Sequence, residues 1–299
     1  MVVINNLQVR YGSQLALSIK EPITFEKGDR IGIIGSNGAG KTTLVKSILG
    51  LTNYQGNIVT GLKPEEIAVH MQHNHYANTM AVKHIMETVL DTSIKKNKLL
   101  QELIAFFDFE GCLNKKYAAL SGGQKQRLTI ILVLIQDAPL VFFDEVTSGL
   151  DFETRQKLMS KMGEWYRNKD CTLCIVSHYY EELEQLVNKI LILEEGQVVD
   201  YGCKEELFRN YCGKTVITVD NNERNRHLTQ HLRKLEAPEH LIALSCQNSE
   251  LEREITELLI REDVNYKRSN HDIEIMSINA KARFHEKSEG GRQNETKTA

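Results

Sequence analysis

The sequence predicts an α/β fold in which helices cover a mainly parallel sheet. Short apolar runs at residues 31–34, 140–143 and 173–177 are typical of buried parallel strands. Each run is followed by a Gly-rich or acidic turn and then by a helical pattern, and the alternation continues to about residue 210. In such a fold, functional residues are expected at the carboxyl ends of the strands.

The composition narrows the classes of function. The 299 residues suffice for one large domain and a small one. The net charge of -3 provides no basic field, so we expect no nucleic-acid partner. Polar residues and a proline interrupt the most apolar stretch, residues 128–143, which predicts a buried helix, turn and strand rather than a membrane span. The first residues lack the features of a signal peptide, so the expected location is the cytoplasm.

The cysteines are predicted to be reduced core thiols. The six are scattered along the chain, which does not favour a disulfide framework. Cys171 and Cys174 form a CxxC, but this pair lies in an apolar, strand-like run and has no second pair at zinc-finger spacing. We therefore expect neither metal nor redox chemistry there.

A second unit is predicted after the first. Residues 190–202 read as two strands joined at Glu195-Gly196, a hairpin that would end the first unit. Residues 214–285 then read as a small α+β domain, and the polar segment 286–299 predicts a disordered tail.

One helix of the second unit, residues 249–261, has a marked apolar face. Ser249 and Glu252 form a possible capping box at its start. Its polar face is mixed and acidic, which favours packing on a core over lying on a membrane surface. The apolar face consists of Leu251, Ile255, Leu258 and Leu259.

A phosphate-binding loop follows the first apolar run. GSNGAGKT, which begins at Gly35, matches GxxxxGK[ST] between a strand and a helix. Its glycines let backbone N–H groups surround a phosphate at a helix N-terminus, while Lys41 would neutralise phosphate charge and the Thr42 hydroxyl would bind Mg²⁺. The predicted ATP-binding residues of this segment are Gly35, Ser36, Asn37, Gly38, Ala39, Gly40, Lys41, Thr42 and Thr43.

Two carboxylates follow the apolar run at 140–143. Asp144 stands at the end of that run and Glu145 comes directly after it. Beside a phosphate-binding loop, the first carboxylate is well placed to hold Mg²⁺ through water and the second to polarise an attacking water.

The segment LSGGQ, residues 120–124, together with the phosphate-binding loop and the acidic strand end, resembles the ABC-type ATPases among the P-loop NTPases. The resemblance implies a nucleotide-binding domain over residues 1–213, with an α-helical signature subdomain over about 73–135. In that family LSGGQ lies at a helix N-terminus and contacts the γ-phosphate held by the opposite subunit. The resemblance implies that Ser121 and Gly123 make this contact here, and that Gly122 and Gln124 also belong to the predicted ATP-binding residues.

Four further residues resemble family elements in the expected order. Tyr11 resembles the aromatic that stacks on adenine, and Gln72 the glutamine that senses Mg²⁺ and the attacking water. Asp151 ends a loop that crosses the dimer interface in the family and is also assigned to the predicted ATP-binding residues, and His178 resembles the histidine that contacts the γ-phosphate. Val146 is a departure, because the family usually has proline after the catalytic glutamate.

The resemblance implies ATP hydrolysis with Mg²⁺ as the metal. Its implied catalytic residues are Glu145 as general base, with His178 and Gln72 positioning the water and the γ-phosphate. Its implied metal ligands are Thr42, Gln72 and Asp144. Each site would need a second ATPase subunit, and a homodimer is expected.

A transporter subunit is favoured over a soluble ABC protein. The segment between loop and signature shows no sustained heptads, and the chain has no second cassette. The resemblance then implies transmembrane permease subunits as partners and a peripheral location on the inner face of the cell membrane. SHYYEELEQLVNKILILEEGQVVDYG, from residue 177, resembles exporter-type subunits and suggests export of a peptide, antibiotic or drug. Import, or a soluble non-transport role, is the alternative.

Three histidines near Gln72 raise a metal alternative. His70, His73 and His75 alternate along a strand-like segment, so that they could share one face. No cysteine or carboxylate completes a site, and the glutamine explains the segment better.

Overall fold

The computed structural model describes residues 2–71 and 76–295, with residues 288–295 described by their backbone alone. Within these residues the main sheet has ten strands, in the order β3-β1-β2-β10-β9-β4-β8-β7-β6, with β5 paired to β1. Its strands are β1 (Val2–Tyr11), β2 (Gln14–Ile19), β3 (Ile23–Phe25), β4 (Arg30–Gly35), β5 (Gln55–Thr60), β6 (Ile67–His70), β7 (Leu140–Asp144), β8 (Thr172–Val176), β9 (Lys189–Glu194) and β10 (Gln197–Cys203).

The helices follow the predicted alternation with the strands. The first seven are α1 (Lys41–Ile48), α2 (Val82–Val89), α3 (Lys98–Phe106), α4 (Gly122–Leu134), α5 (Phe152–Tyr166), α6 (Tyr180–Leu186) and α7 (Lys204–Cys212). None of the helices in the described part of the chain is long and apolar enough to cross a membrane.

The parallel part of the sheet comprises β9, β4, β8, β7 and β6. The apolar runs predicted from the sequence form β4, β7 and most of β8, and every residue of β7 and β8 is buried. One apolar cluster packs α1 between β4 and the antiparallel strands β1 to β3, and a larger one lies under α2 to α7 on the other face. The expected α/β fold is therefore confirmed.

The predicted hairpin ends the parallel region. β9 and β10 pair antiparallel, and the turn between them is Glu195-Gly196. Both turn residues have positive φ, +47° and +74°, which is the requirement of a tight two-residue hairpin turn.

A second sheet begins just after Gly213. Its strands are β11 (Thr215–Asp220), β12 (Lys234–Leu235), β13 (Leu241–Cys246) and β14 (Tyr266–Ser269), in the order β12-β13-β11-β14. Helices α8 (Glu223–Leu228) and α9 (Ser249–Arg261) belong to this region. Ile255 and Leu259 of α9 are buried on the sheet, so α9 is a packing helix.

The start of α9 differs from the predicted capping box. Asn248 is the N-cap, since its side chain accepts a hydrogen bond from the backbone N–H of Leu251. Ser249 is instead the first helical residue. The Glu252 carboxylate accepts hydrogen bonds from the Thr215 hydroxyl and from Arg268 rather than capping the helix.

The last helix, α10 (Ile273–Glu295), packs back on the first unit. Ile273, Ile275, Met276 and Ala280 are buried in the cluster that also contains residues of α6 and α7. The helix continues into the segment 286–299, for which the composition predicts disorder. Residues 296–299 lie outside the described part.

The cysteine thiols are free, as expected. Cys171 and Cys174 lie beside and within β8 and are buried, and burial raises the pKa of both thiols. A thiol of raised pKa is a poor nucleophile at neutral pH, which fits a role in packing.

Met276→Ala should lower the free energy of unfolding of the whole chain by about 2–5 kcal/mol, because it leaves a cavity beneath α10. Denaturant unfolding measures this loss. Glu274→Ala, an exposed change on the same helix, is the control and should cost at most about 1 kcal/mol. Equal, small losses for both variants would contradict the packing of α10 described above.

Candidate functional site

The carboxyl ends of the parallel strands meet at one edge of the sheet. β4 leads into the phosphate-binding loop, β7 ends at Asp144, and β8 is followed by His178. β4, β8 and β7 are direct neighbours, so these three segments lie side by side. β6 ends two residues before Gln72, and Gln72 lies outside the described residues.

A cleft of about 490 Å³ lies at this edge. Its lining includes Tyr11, residues 37–43 of the loop, Glu145 and the turn residue Glu195. The Tyr11 side chain is 49% exposed, so its ring is available to a ligand. A larger cleft of about 850 Å³ lies beside α4 and α5, but it contains no phosphate-binding loop.

The loop backbone depends on its glycines. Gly38 and Gly40 have φ of +82° and +98°, a region that costs non-glycine residues free energy. A Cβ on Gly35 would overlap the carbonyl oxygen of Leu193 on β9. Glycine therefore lowers the free-energy cost of this path at positions 38 and 40, and at position 35 it avoids a clash with β9.

Lys41 begins α1 and is turned back onto its own loop. Its Nζ donates hydrogen bonds to the carbonyl oxygens of Gly35 and Ser36, at 2.8 and 3.0 Å. Burial lowers the pKa of the ammonium group, whereas the nearby Glu145 and Asp144 carboxylates raise it. The two hydrogen bonds thus hold the ammonium group in place at the base of the loop.

Thr42 and Asp144 form a pair suited to Mg²⁺. The Thr42 hydroxyl donates to Asp144 Oδ2 at 2.9 Å. Asp144 Oδ1 is buried and has no hydrogen-bond partner within residues 2–71 and 76–295. Burial raises the pKa of this carboxyl, the Thr42 hydrogen bond lowers it and Glu145 raises it. Hydroxyl and carboxylate oxygens are the ligands that Mg²⁺ prefers, so the residues present fit this ion.

Glu145 and His178 are in direct contact. His178 Nε2 lies 2.9 Å from Glu145 Oε1. Glu145 has φ of +51°, and its N–H donates to the carbonyl oxygen of Val176 on β8. Val146, where the family usually has proline, is 1% exposed, so this departure contributes a buried side chain that anchors the turn.

The LSGGQ segment begins α4, as the resemblance implies. Ser121 is the N-cap: its hydroxyl accepts from the N–H of Gln124, and the Gln124 side chain accepts from the N–H of Ser121. Gly122 and Gly123 form the first turn, whose N–H groups favour an anion. None of these four residues is among the described residues that line the 490 Å³ cleft.

Asp151 occupies a similar position at the next helix. It is the N-cap of α5, and its carboxylate accepts from the N–H of Thr154 at 3.0 Å. This hydrogen bond lowers the pKa of the carboxyl. The side chain therefore shapes the exposed loop before α5.

Sequence reasoning missed a buried hydrogen-bond network behind these loops. Glu182 accepts from Thr147 Oγ1 at 3.0 Å and from Ser177 Oγ at 2.8 Å. Arg155 lies 3.4 Å from the same carboxylate and stacks over the ring of Tyr179. The network joins the loop before α5 to the segment that carries His178. The residues of this network form no recognisable motif in the sequence, because they come from three separate segments.

The histidine alternative finds no support at His70. Its ring is 1% exposed, contacts Gln126 at 3.1 Å and packs near Phe143. His73 and His75 lie outside the described residues. Within the described ranges no group of three or more His, Cys, Asp or Glu side chains could hold a metal ion.

Comparisons with known proteins agree with the fold and the loop motifs. The family model described as "ABC transporter" matches residues 22–148. A solved structure described as the "ATP binding subunit of ABC transporter" aligns with a TM-score of 0.63 at 23% identity. It covers 71% of this chain and 93% of that one, and at this identity the likeness concerns the fold alone.

Three curated relatives bear on function. The methionine import ATP-binding protein MetN of Clostridioides difficile is 31% identical over 228 residues, covering 70% of each chain. MetN of Corynebacterium glutamicum is 31% identical over 207 residues, 63% of this chain, but the chain spans only 57% of its length. The Nod factor export ATP-binding protein I of Burkholderia lata is 28% identical over 231 residues, covering 72% and 74%. The relatives thus favour the import alternative over the export predicted from the end of the core.

His70 should make the chain sensitive to acid, because burial lowers its pKa from 6.5 to about 4. A lowered pKa in the folded state contributes stability above the unfolded pKa, and this stability is lost as the pH falls from about 6.5 towards 4. Unfolding at pH 7 and 4.5 should show that His70→Gln loses less stability than wild type, by up to about 3 kcal/mol. The exposed His240→Gln control should match wild type. Equal losses in all three proteins would contradict this account.

Proposed function

This chain belongs to the family of ABC transporter ATP-binding proteins, and from that premise we propose that it acts as a homodimer, powering transport through separate transmembrane subunits. The family binds ATP with Mg²⁺ and hydrolyses it. The proposal concerns the assembly, the direction of transport and the roles of single residues.

The separation of the two phosphate-binding elements carries the dimer proposal. The loop and Glu145 line one cleft, whereas Ser121 and Gly123 begin α4 outside that lining. Both elements present N–H groups at a helix N-terminus, so both suit a phosphate. A second copy that brings its Ser121 to the loop of the first would complete each site.

The proposed chemistry is phosphoryl transfer to water. Lys41 would hold the β- and γ-phosphates, and Thr42 and Asp144 would hold Mg²⁺, which would neutralise phosphate charge when bound. Glu145 removes a proton from the attacking water, since it borders the cleft. His178 orients that carboxylate, since its Nε2 lies 2.9 Å from Glu145 Oε1. In the proposed mechanism it also contacts the γ-phosphate. The buried Glu182 network fixes the backbone that carries His178.

We propose import as the direction of transport. Its support is the resemblance to two proteins named for methionine import, at 31% identity. Export stays the second candidate, favoured by the Nod factor export relative at 28% identity. Methionine is accordingly the first solute to test.

A transport assay should separate the two directions. Cells in which this chain carries Glu145→Gln should take up less labelled solute than wild type, and their rate of release should be unchanged. The chain should co-purify with a membrane protein. In vesicles that contain this complex with the ATPase on the outside, import should be seen as ATP-driven release of solute from the lumen. Faster accumulation in the variant would instead favour export, and a soluble nucleic-acid or ribosome complex would contradict both.

Glu145→Gln should bind ATP but hydrolyse it about 10²- to 10⁴-fold more slowly, because the amide cannot accept the proton. The ATP-bound dimer should then accumulate, which light scattering after size exclusion would measure. Lys41→Ala is the control: it should lose nucleotide binding and stay a monomer with ATP. Hydrolysis at the wild-type rate in Glu145→Gln would refute the assignment of the base.

A further inference from the structure

The end of β9 brings a carboxylate to the phosphate-binding loop. Gly35 pairs with Leu193, so Glu194, the next residue on β9, lies beside Ser36. The Ser36 hydroxyl donates to Glu194 Oε2 at 3.2 Å. A carboxylate at this place opposes a bound polyphosphate, because like charges repel strongly where water is partly excluded.

A lysine from the last helix compensates this charge. Lys281 Nζ on α10 lies 2.8 Å from the same oxygen, Glu194 Oε2. The two side chains are only 20% and 14% exposed, so solvent screens the pair less than it screens a surface ion pair.

The position of Lys281 is fixed by the packing of α10. Met276 and Ala280 are buried against the first unit, and Arg283 donates to the carbonyl oxygen of Asn210 on α7 at 2.8 Å. The Asn279 side chain exchanges two hydrogen bonds with the backbone of Glu236, at 3.1 and 2.9 Å. The helix that carries the lysine is thus held both by α7 of the first unit and by the segment that follows β12.

We infer that Lys281 and Glu194 are positioning residues of the ATP site. Lys281, on the last helix, compensates the negative charge of Glu194 and so keeps this carboxylate from repelling a polyphosphate at the phosphate-binding loop. With Lys281 in place, Glu194 orients Ser36 without adding net negative charge. When α10 moves away, the uncompensated carboxylate weakens nucleotide binding. The inference rests on ATP binding by the loop, and it links the C-terminal region to the affinity of that site.

The test measures the dissociation constants of ATP and ADP without Mg²⁺, so that hydrolysis plays no part. Lys281→Met should weaken both by roughly 5- to 20-fold at low salt, and by less at high salt. Lys281→Arg should bind like wild type. Lys287→Met removes the same charge at an exposed position of the same helix and should also bind like wild type.

The charge itself is tested by Glu194→Gln. In the Lys281→Met background this change should restore the affinity, because no carboxylate is left to compensate. A double variant as weak as Lys281→Met would overturn the inference and indicate a packing effect, and so would wild-type affinity in Lys281→Met. Lys41→Ala keeps the outcomes separate: unchanged binding in that variant would refute the ATP site itself. Thermal unfolding shows whether each variant is folded. If Lys281→Met alone does not fold, the double variant still provides a test.

Discussion

The close approach of two backbones at the end of β4 determines the form of the site. Gly35 leaves no room for a side chain against the Leu193 carbonyl, so the phosphate-binding loop and the end of β9 are held together. This approach fixes where the loop begins, and hence where Lys41 and Thr42 start α1. It also places the side chain of Glu194 against Ser36. The geometry of the cleft thus depends on the backbone contact between Gly35 and Leu193, in which none of the predicted catalytic side chains takes part.

Much of the site could be predicted because its residues follow strands whose order is set by the parallel sheet. Asp144 ends one apolar run and the phosphate-binding loop begins at Gly35, at the end of another, so the carboxylate and the loop were expected at the same edge of the sheet. The Glu195-Gly196 turn was also predictable, since Gly196 stands between two strand-like runs and glycine adopts positive φ readily. Local chemistry alone determines such features.

The rest depends on contacts between segments far apart in the chain. Nothing in the local sequence of Glu182 shows that Thr147 and Arg155 face it, and nothing near Lys281 points to a residue on β9. The capping of α9 was misjudged by one residue, because Asn248 and Ser249 are both good caps and the fold decides between them. The relatives favour import over the export predicted from residues 177–202. That segment forms α6, β9 and most of β10, which build the fold of the first unit and carry no direct information on the direction of transport.

The packing of α10 has a consequence for how this polypeptide can be divided. Its buried face covers α6 and α7. The first unit therefore consists of the residues before Gly213 together with α10, which begins at Ile273. The second sheet, β11 to β14, is in topological terms an insertion into that unit rather than an appendage to it. Grafting or exchanging this sheet would preserve the first unit only if both junctions, before β11 and after β14, were kept. Truncation at the first junction would expose the apolar surface beneath α10 to water.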